Sequence, residues 1–263
     1  MLVRLTLAAL LGGLALSAAA CNTGESSQKE TLPGPTTQTE STATEQPQLA
    51  LTVFFLRDGR VSPVRVHVPR TKAVANAALD ELLDGPPAGY ETAIPDGTDG
   101  DVTSVDRGTA NIDIIDALDG AGNAQLAYTL TSIPGVTGIA YDGLVDPDTG
   151  TETDGPLTRG AFEQFAPPIL VESPLPHDDV IAPVHVRGTA SVFEATLVVE
   201  LRQNGALVDK QTVTATEGAP GRGTFAAALT GGTPGKATLV AYAPSAEDGS
   251  PQRRVEVPIE IKP

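Results

Sequence analysis

The residues of this chain that could do chemistry begin with its three histidines, His67, His177 and His185. Hydrolysis by a catalytic triad needs a serine, an orientable histidine and a carboxylate, and the serine often stands in a Gly-x-Ser-x-Gly turn. The sequence contains no such turn. His67 falls on the polar side of an alternating segment, and His177 stands beside Asp178 and Asp179. We therefore expect solvent-exposed histidines, since a zinc site at His177 and His185 would need two more converging ligands.

Acidic residues crowd one glycine-rich stretch, which is the sharpest candidate for a metal site. Calcium prefers several oxygen ligands from a flexible loop. The EF-hand spacing fails because Gly150 stands where the third ligand belongs and no Glu closes the loop. We favour a solvated hairpin tip and predict no bound metal; a second acidic loop, with Asp96, Asp99 and Asp101, is a weaker candidate. The candidate cation ligands of the first loop are Asp142, Asp146, Asp148, Glu152 and Asp154.

Other catalytic chemistries have little support in the composition. Glycoside hydrolysis needs paired carboxylates in a cleft, and sugar-binding clefts offer aromatic platforms, yet the chain has no Trp, four Tyr and six Phe. It has neither a P-loop nor a Gly-x-Gly-x-x-Gly turn after a strand. Only Tyr90, Phe162 and Phe165 fall in loop-like segments. We predict that the protein is not an enzyme and carries no cofactor.

Charge and size exclude further classes of protein. The 263 residues carry a net charge of −16, whereas binding to nucleic acid needs a basic surface. We therefore predict no nucleic-acid partner and no polybasic contact with a membrane. A single Cys excludes an intrachain disulfide and a cysteine-based zinc site.

The N-terminal segment predicts an extracytoplasmic location. Residues 1–20 have one positive charge at Arg4, an apolar run and a small-residue end, the order found in a secretory signal peptide. The chain's one Cys, Cys21, directly follows three alanines, which resembles a bacterial lipobox. We predict that Cys21 is lipidated and anchors the protein to the membrane, since two acyl chains suffice for stable anchoring. The alternative is an ordinary cleaved signal with an incidental Cys.

A linker and two folded domains follow. Residues 21–48 hold the lipidated Cys and a Ser/Thr- and Pro-rich tether that is too polar to fold. Residues 49–163 predict the order β-β-α-β-β-α-β, an α+β domain with two helices on a small mixed sheet. Its helices are predicted over 71–83 and 123–132. Residues 167–263 predict seven strands with tight turns, an all-β immunoglobulin-like sandwich.

Both domains resemble families of the bacterial envelope. The stretch from Gln125 to Val136, QLAYTLTSIPGV, resembles the GerMN domain of sporulation and spore-germination lipoproteins. The segments Val186-Arg-Gly-Thr-Ala190 and Val192-Phe-Glu-Ala195 resemble the immunoglobulin-like domain of bacterial spore germination, a module that often follows GerMN. The resemblance implies assembly of envelope complexes, and a GerMN fold similar to that of ring-building motifs.

We predict a non-catalytic, lipid-anchored cell-envelope protein that acts as an interaction and assembly module. Its expected partners are the membrane, through the N-terminal lipid, and unidentified envelope proteins; a homo-oligomer is left open. Exposed arginines are candidate contacts, although each could be a solvated charge: Arg57, Arg60, Arg65, Arg202 and Arg222. The alternative is a module that binds an envelope ligand or the cell wall. An exposed aromatic pocket would favour that alternative.

Overall fold

The computed structural model describes residues 47–153 and 155–263. The predicted signal peptide, Cys21 and nearly all of the tether lie outside these residues, as does Asp154. The described chain starts one residue before the first strand, within the segment predicted as tether. No helix among the described residues is both long and apolar enough to cross a membrane.

The first part of the chain is an α+β domain, and its predicted element order is confirmed. The elements are β1 (Gln48–Arg57), β2 (Arg60–Pro69), α1 (Val74–Leu83), β3 (Gly100–Asp106), β4 (Thr109–Ile114), α2 (Gly120–Leu130) and β5 (Gly138–Ala140). Two-residue strands β6 (Val145–Asp146) and β7 (Thr151–Glu152) follow, and then a 3-10 helix at Arg159–Phe165. β1 and β2 form an antiparallel hairpin around Asp58-Gly59, whose positive φ angles suit this turn.

The described strands of this domain divide into three sheets rather than one, and the smallest is the antiparallel pair of β6 and β7. β3 pairs antiparallel with β4, and β4 pairs parallel with β5, so the three-stranded sheet is mixed as expected. The β1–β2 hairpin is a separate sheet, and a backbone bridge between Leu56 and Glu91 joins it to the segment after α1.

Both helices begin at residues other than those predicted. Thr71 Oγ1 accepts a hydrogen bond from Ala73 N, and α1 starts only at Val74. α2 starts at Gly120 because the Asp119 carboxylate accepts a hydrogen bond from Gly122 N and caps the helix. The helix was predicted to begin at residue 123, three residues later. Nearly all of α2 is buried, and the Tyr128 and Phe54 rings lie 5.4 Å apart at the centre of the core.

The second part of the chain is a β-sandwich, which confirms the predicted fold class. Its strands are β8 (Ile169–Ser173), β9 (Asp179–Val180), β10 (Val184–Ala190), β11 (Thr196–Gln203), β12 (Ala206–Thr214), β13 (Gly223–Leu229), β14 (Gly235–Pro244) and β15 (Pro251–Ile261). One sheet has the order β13-β10-β8 and the other the order β12-β11-β14-β15-β9. All seven predicted strands are present, and β9 is an additional short strand parallel to β15.

Side chains close the seam between the two sheets where β12 meets β13. The backbone N–H groups of Thr224, Ala228 and Thr230 are bound by the side chains of Thr216, Gln211 and Asp209, at 2.9, 3.2 and 2.6 Å. These side chains supply acceptors at the outer edge of β13, alongside a backbone hydrogen bond from Thr216 N to Thr224 O at 2.9 Å.

Candidate functional site

The acidic loop folds as a hairpin whose carboxylates shape the turn. Asp146 Oδ1 accepts hydrogen bonds from the backbone N–H groups of Asp148 and Thr149, at 2.8 and 3.3 Å. Asp142, Asp148 and Glu152 are exposed. Within residues 47–153 and 155–263, no group of three or more His, Cys, Asp or Glu side chains is placed to hold a metal ion. Asp154 lies outside the described residues, so the candidate set is described only in part.

The three histidines are exposed, and two of them line a common cleft. His67 on β2 and His177 before β9 both border a cavity between the α+β domain and the sandwich. His177 has a φ of 69° and donates its backbone N–H to Pro258 O at 2.7 Å. His185 on β10 does not line this cleft.

The arginines proposed as exposed contacts divide into two groups. Arg57 and Arg60 are exposed, as expected. Arg65, Arg202 and Arg222 are partly buried in ion pairs, so their description as solvated charges is wrong. For Arg65 and Arg222 the reason is that the carboxylate partner lies in the other domain, at a distance in sequence that no local pattern reveals.

Arg65 and Asp178 join the two domains through a paired ion contact. Arg65 Nε and Nη2 donate to Asp178 Oδ1 and Oδ2 at 3.2 and 2.8 Å, and Leu175 N also donates to Asp178. Burial raises the pKa of the Asp178 carboxyl, but the hydrogen bonds from Arg65 and Leu175 outweigh it, so this pKa lies below its ordinary value. Charge-assisted two-point contacts of this kind fix orientation as well as adding stability.

Two more arginines reach across the junction from opposite sides. Arg222, in the loop before β13, donates to Pro167 O at 2.8 Å, and its Nε lies 3.3 Å from the Glu163 carboxylate. Arg60 donates to the backbone carbonyls of Gln164 and Ala166, at 3.1 and 2.8 Å. The segment between the two cores is therefore held by a guanidinium from each domain.

Arg159 is the central contact of the junction, and no local pattern in the sequence indicates its role. Its Nε donates to Thr131 Oγ1 at 2.6 Å, its Nη2 to Tyr128 O at 3.0 Å, and its Nη1 to Glu172 Oε2 at 3.0 Å. The guanidinium also lies 4.7 Å from the Tyr128 ring centroid and 5.3 Å from that of Phe54. One side chain thus ties α2 and β1 to the first strand of the sandwich.

The polar side chains of α2 hydrogen-bond the outer edge of β1. Thr129 Oγ1 accepts a hydrogen bond from Phe54 N at 2.9 Å, and Gln125 Nε2 donates to Phe54 O at 3.3 Å. Ser132 Oγ donates to Thr52 O at 3.0 Å. The motif from Gln125 to Ser132 therefore carries buried groups that satisfy a strand edge.

We expect Thr129→Val to lower the free energy of unfolding by about 1–3 kcal/mol, because the buried Phe54 N–H would lose its acceptor while the side-chain volume stays the same. Urea denaturation measures the change. Thr129→Ser keeps the hydroxyl and is the matched control; it should retain more stability than the valine variant. Equal losses in the two variants would show that packing, and not the hydrogen bond, matters at this position.

The Arg65–Asp178 pair should make stability depend on pH in the acidic range. A carboxyl whose pKa is lowered by folding adds its full stability at pH values above its pKa in the unfolded chain, about 3.9. This stability is lost as the pH falls through the pKa of the folded state. At pH 7 we expect Asp178→Asn to be about 1–2 kcal/mol less stable than the native chain. The difference should shrink as the pH falls below about 4. Asp106→Asn, at an exposed pair, should show no difference at any pH.

Two family models match the chain, one over each domain. Residues 52–140 match the model described as "Sporulation and spore germination". Residues 168–250 match the model described as "Immunoglobulin-like domain of bacterial spore germination". The chain joins a GerMN-like domain to a spore-germination immunoglobulin-like domain. In these terms Arg159 follows the GerMN domain, and Arg222 belongs to the immunoglobulin-like domain.

Solved structures give partial matches at low identity. The tandem GerMN domains of the sporulation protein GerM from Bacillus subtilis share 21% identity at a TM-score of 0.36, over 43% of this chain and 46% of that chain. CopC from Methylosinus trichosporium OB3b shares 18% identity at a TM-score of 0.26, over 36% of this chain and 94% of that chain. Fibronectin(III)-like modules of Clostridium thermocellum CbhA share 22% identity at a TM-score of 0.23, over 35% of this chain and 93% of that chain. This chain therefore spans less than half of the GerM structure. The comparison with curated proteins finds no match.

Proposed function

We propose that this germination-related chain is a non-catalytic, lipid-anchored protein of the cell envelope, whose two domains act together as an interaction and assembly module. The two family matches support the germination-related part of this proposal. Cys21 after three alanines supports lipid anchoring, since it is the only Cys in the chain. In this proposal the lipid holds the protein at the outer face of a membrane.

The observation that carries the proposal is the arginine-bonded junction. Arg65, Arg159 and Arg222 each pair with a carboxylate across the boundary between the domains or their connecting segment. Domains of one chain move relative to each other by default, and charge-assisted contacts at three points along the boundary oppose such motion. A fixed pair of domains can present one continuous surface to a partner, and it loses little conformational entropy on binding.

A module that binds the cell wall has weaker support. Phe162 is completely buried, and Phe165 is partly buried beside Gly120. Tyr90 is partly buried and stacks against Arg57. The loop-like aromatics of the sequence thus do not form a common exposed platform for sugar rings.

Crosslinking in cells, followed by purification from membranes and mass spectrometry, tests the proposal. We expect a reproducible set of envelope proteins that is lost when Cys21→Ser releases the chain from the membrane. The double variant Arg65→Ala/Arg222→Ala should also reduce the set, whereas Arg107→Ala, at an exposed pair, should not. Recovery of the chain alone, or with wall fragments only, would contradict the assembly role and favour wall binding.

A further inference from the structure

A polar cleft separates the β1–β2 hairpin from the segment that leads into β9. Its volume is about 890 Å³, a size suited to a short peptide. Apolar side chains cover part of its wall, and charged groups converge on the rest. The cleft is lined by Pro63, Val64, Pro176 and Pro258, and by Arg57, Arg65, His67, Tyr90, His177, Asp178, Asp179 and Glu256 among others.

The carboxylates of this cleft are already paired with cations. Asp178 is held by Arg65 at 2.8 Å. Lys262 lies 3.2 Å from Asp179, and Arg254 lies 2.7 Å from Glu256. Arg57 is the cleft arginine that has no carboxylate within 4.0 Å among the residues that the structure describes. The cleft therefore has one unmatched positive charge on a protein of strongly negative net charge.

Arg57 is also held in a geometry that suits an oxyanion. Its guanidinium carbon lies 4.4 Å from the centroid of the Tyr90 ring. A guanidinium that uses its flat face for stacking keeps its N–H edge free for a two-point contact with a carboxylate. His67 and His177 line the same cleft and add hydrogen-bonding groups to its wall.

We propose that this cleft binds an acidic peptide segment, with Arg57 holding a carboxylate of that segment by two hydrogen bonds. Tyr90 positions the guanidinium, and the proline- and valine-lined wall packs against the backbone and aliphatic stem of the bound segment. The inference rests on the proposed function in taking the ligand to be part of a protein partner.

Calorimetry on the purified full chain tests this site with two peptides of matched size. Acetyl-tetraglutamate amide should bind at least about 10-fold more tightly than acetyl-tetraglutamine amide, the effect of one charge-assisted contact. Arg57→Ala should remove this preference. Arg57→Lys keeps the charge but loses the planar fork, so it should retain only part of it. Equal binding of the two peptides by the native chain would overturn the proposal.

Further variants separate a built site from diffuse attraction. Arg187 is an exposed arginine on another face of the sandwich and does not line the cleft. Arg187→Ala should therefore leave the preference intact, and an equal loss at Arg57 and Arg187 would overturn the proposal. Tyr90→Ala should weaken tetraglutamate binding while the charge is unchanged, and Tyr90→Phe should preserve it. Full displacement of the peptide by equimolar inorganic phosphate would assign the site to free oxyanions instead.

The site and the proposed function can fail separately. If Arg57→Ala abolishes peptide binding but leaves the set of crosslinked envelope proteins unchanged, the cleft binds acidic peptides without mediating assembly. If the native chain shows no preference for tetraglutamate but still recovers those proteins, the assembly role stands and the cleft inference is wrong.

Discussion

Replacement of Arg159 by alanine should lower the free energy of unfolding by about 2–3 kcal/mol. The change removes three hydrogen bonds, two of them to groups of α2 and one to Glu172 on β8. It also leaves the Glu172 carboxylate, about a quarter exposed, without its partner. We place the loss below that of a fully buried pair because water still reaches this one. Urea denaturation gives the value from the shift of the midpoint.

Two companion variants define what Arg159 contributes. Arg107→Ala removes an arginine that is 91% exposed and pairs only with its neighbour Asp106, so its stability should match the native chain. Arg159→Lys keeps a charge near Glu172 but cannot reach all three acceptors. Its free energy of unfolding should therefore lie between those of Arg159→Ala and Arg107→Ala. If Arg159→Ala were as stable as Arg107→Ala, the contacts at the junction would add nothing to folding.

Gly188→Ala should strongly destabilise the immunoglobulin-like domain, with a loss of about 3 kcal/mol. A Cβ at this position would lie 2.1 Å from Leu170 O and 2.9 Å from the Phe225 ring. The backbone oxygen belongs to β8, so the only relief is to move β8 away from β10. Thermal or urea unfolding of the full chain measures the loss.

The matched control for Gly188 is another glycine with room for a methyl group. A Cβ at Gly155 would meet nothing closer than 3.9 Å, so Gly155→Ala should change stability by less than about 0.5 kcal/mol. A small effect at both positions would mean that β8 is not held against β10 as closely as the geometry indicates.

Local patterns in the sequence predicted most of the fold. Alternation over residues 255–261 and the Asp58-Gly59 turn act between near neighbours, so both could be identified without the structure. The caps were harder to predict, because Asp119 precedes two glycines that are typical of loops. The two-residue strand β9 is too short to give any periodic signal.

The junction and the cleft depend on contacts that the sequence does not encode locally. Arg65 and Asp178 are 113 residues apart, and Arg222 and Pro167 are 55 apart. Residue type alone made candidates of Arg57, His67 and His177. Their location on one cleft follows only from the way the domains pack. The sequence around Phe162 is typical of a loop, because the 3-10 helix that contains Phe162 has no amphipathic repeat.

The side chains that close the seam between β12 and β13 affect whether neighbouring copies of the protein can pair through their strand edges. An open strand edge invites the same edge of a second copy, and such pairing can propagate into fibres. Along β13 and just after its end, the backbone donors of Thr224, Ala228 and Thr230 are already occupied. Copies concentrated side by side in two dimensions would therefore find no free backbone donors at these three positions, which protects the sandwich against aggregation along this edge.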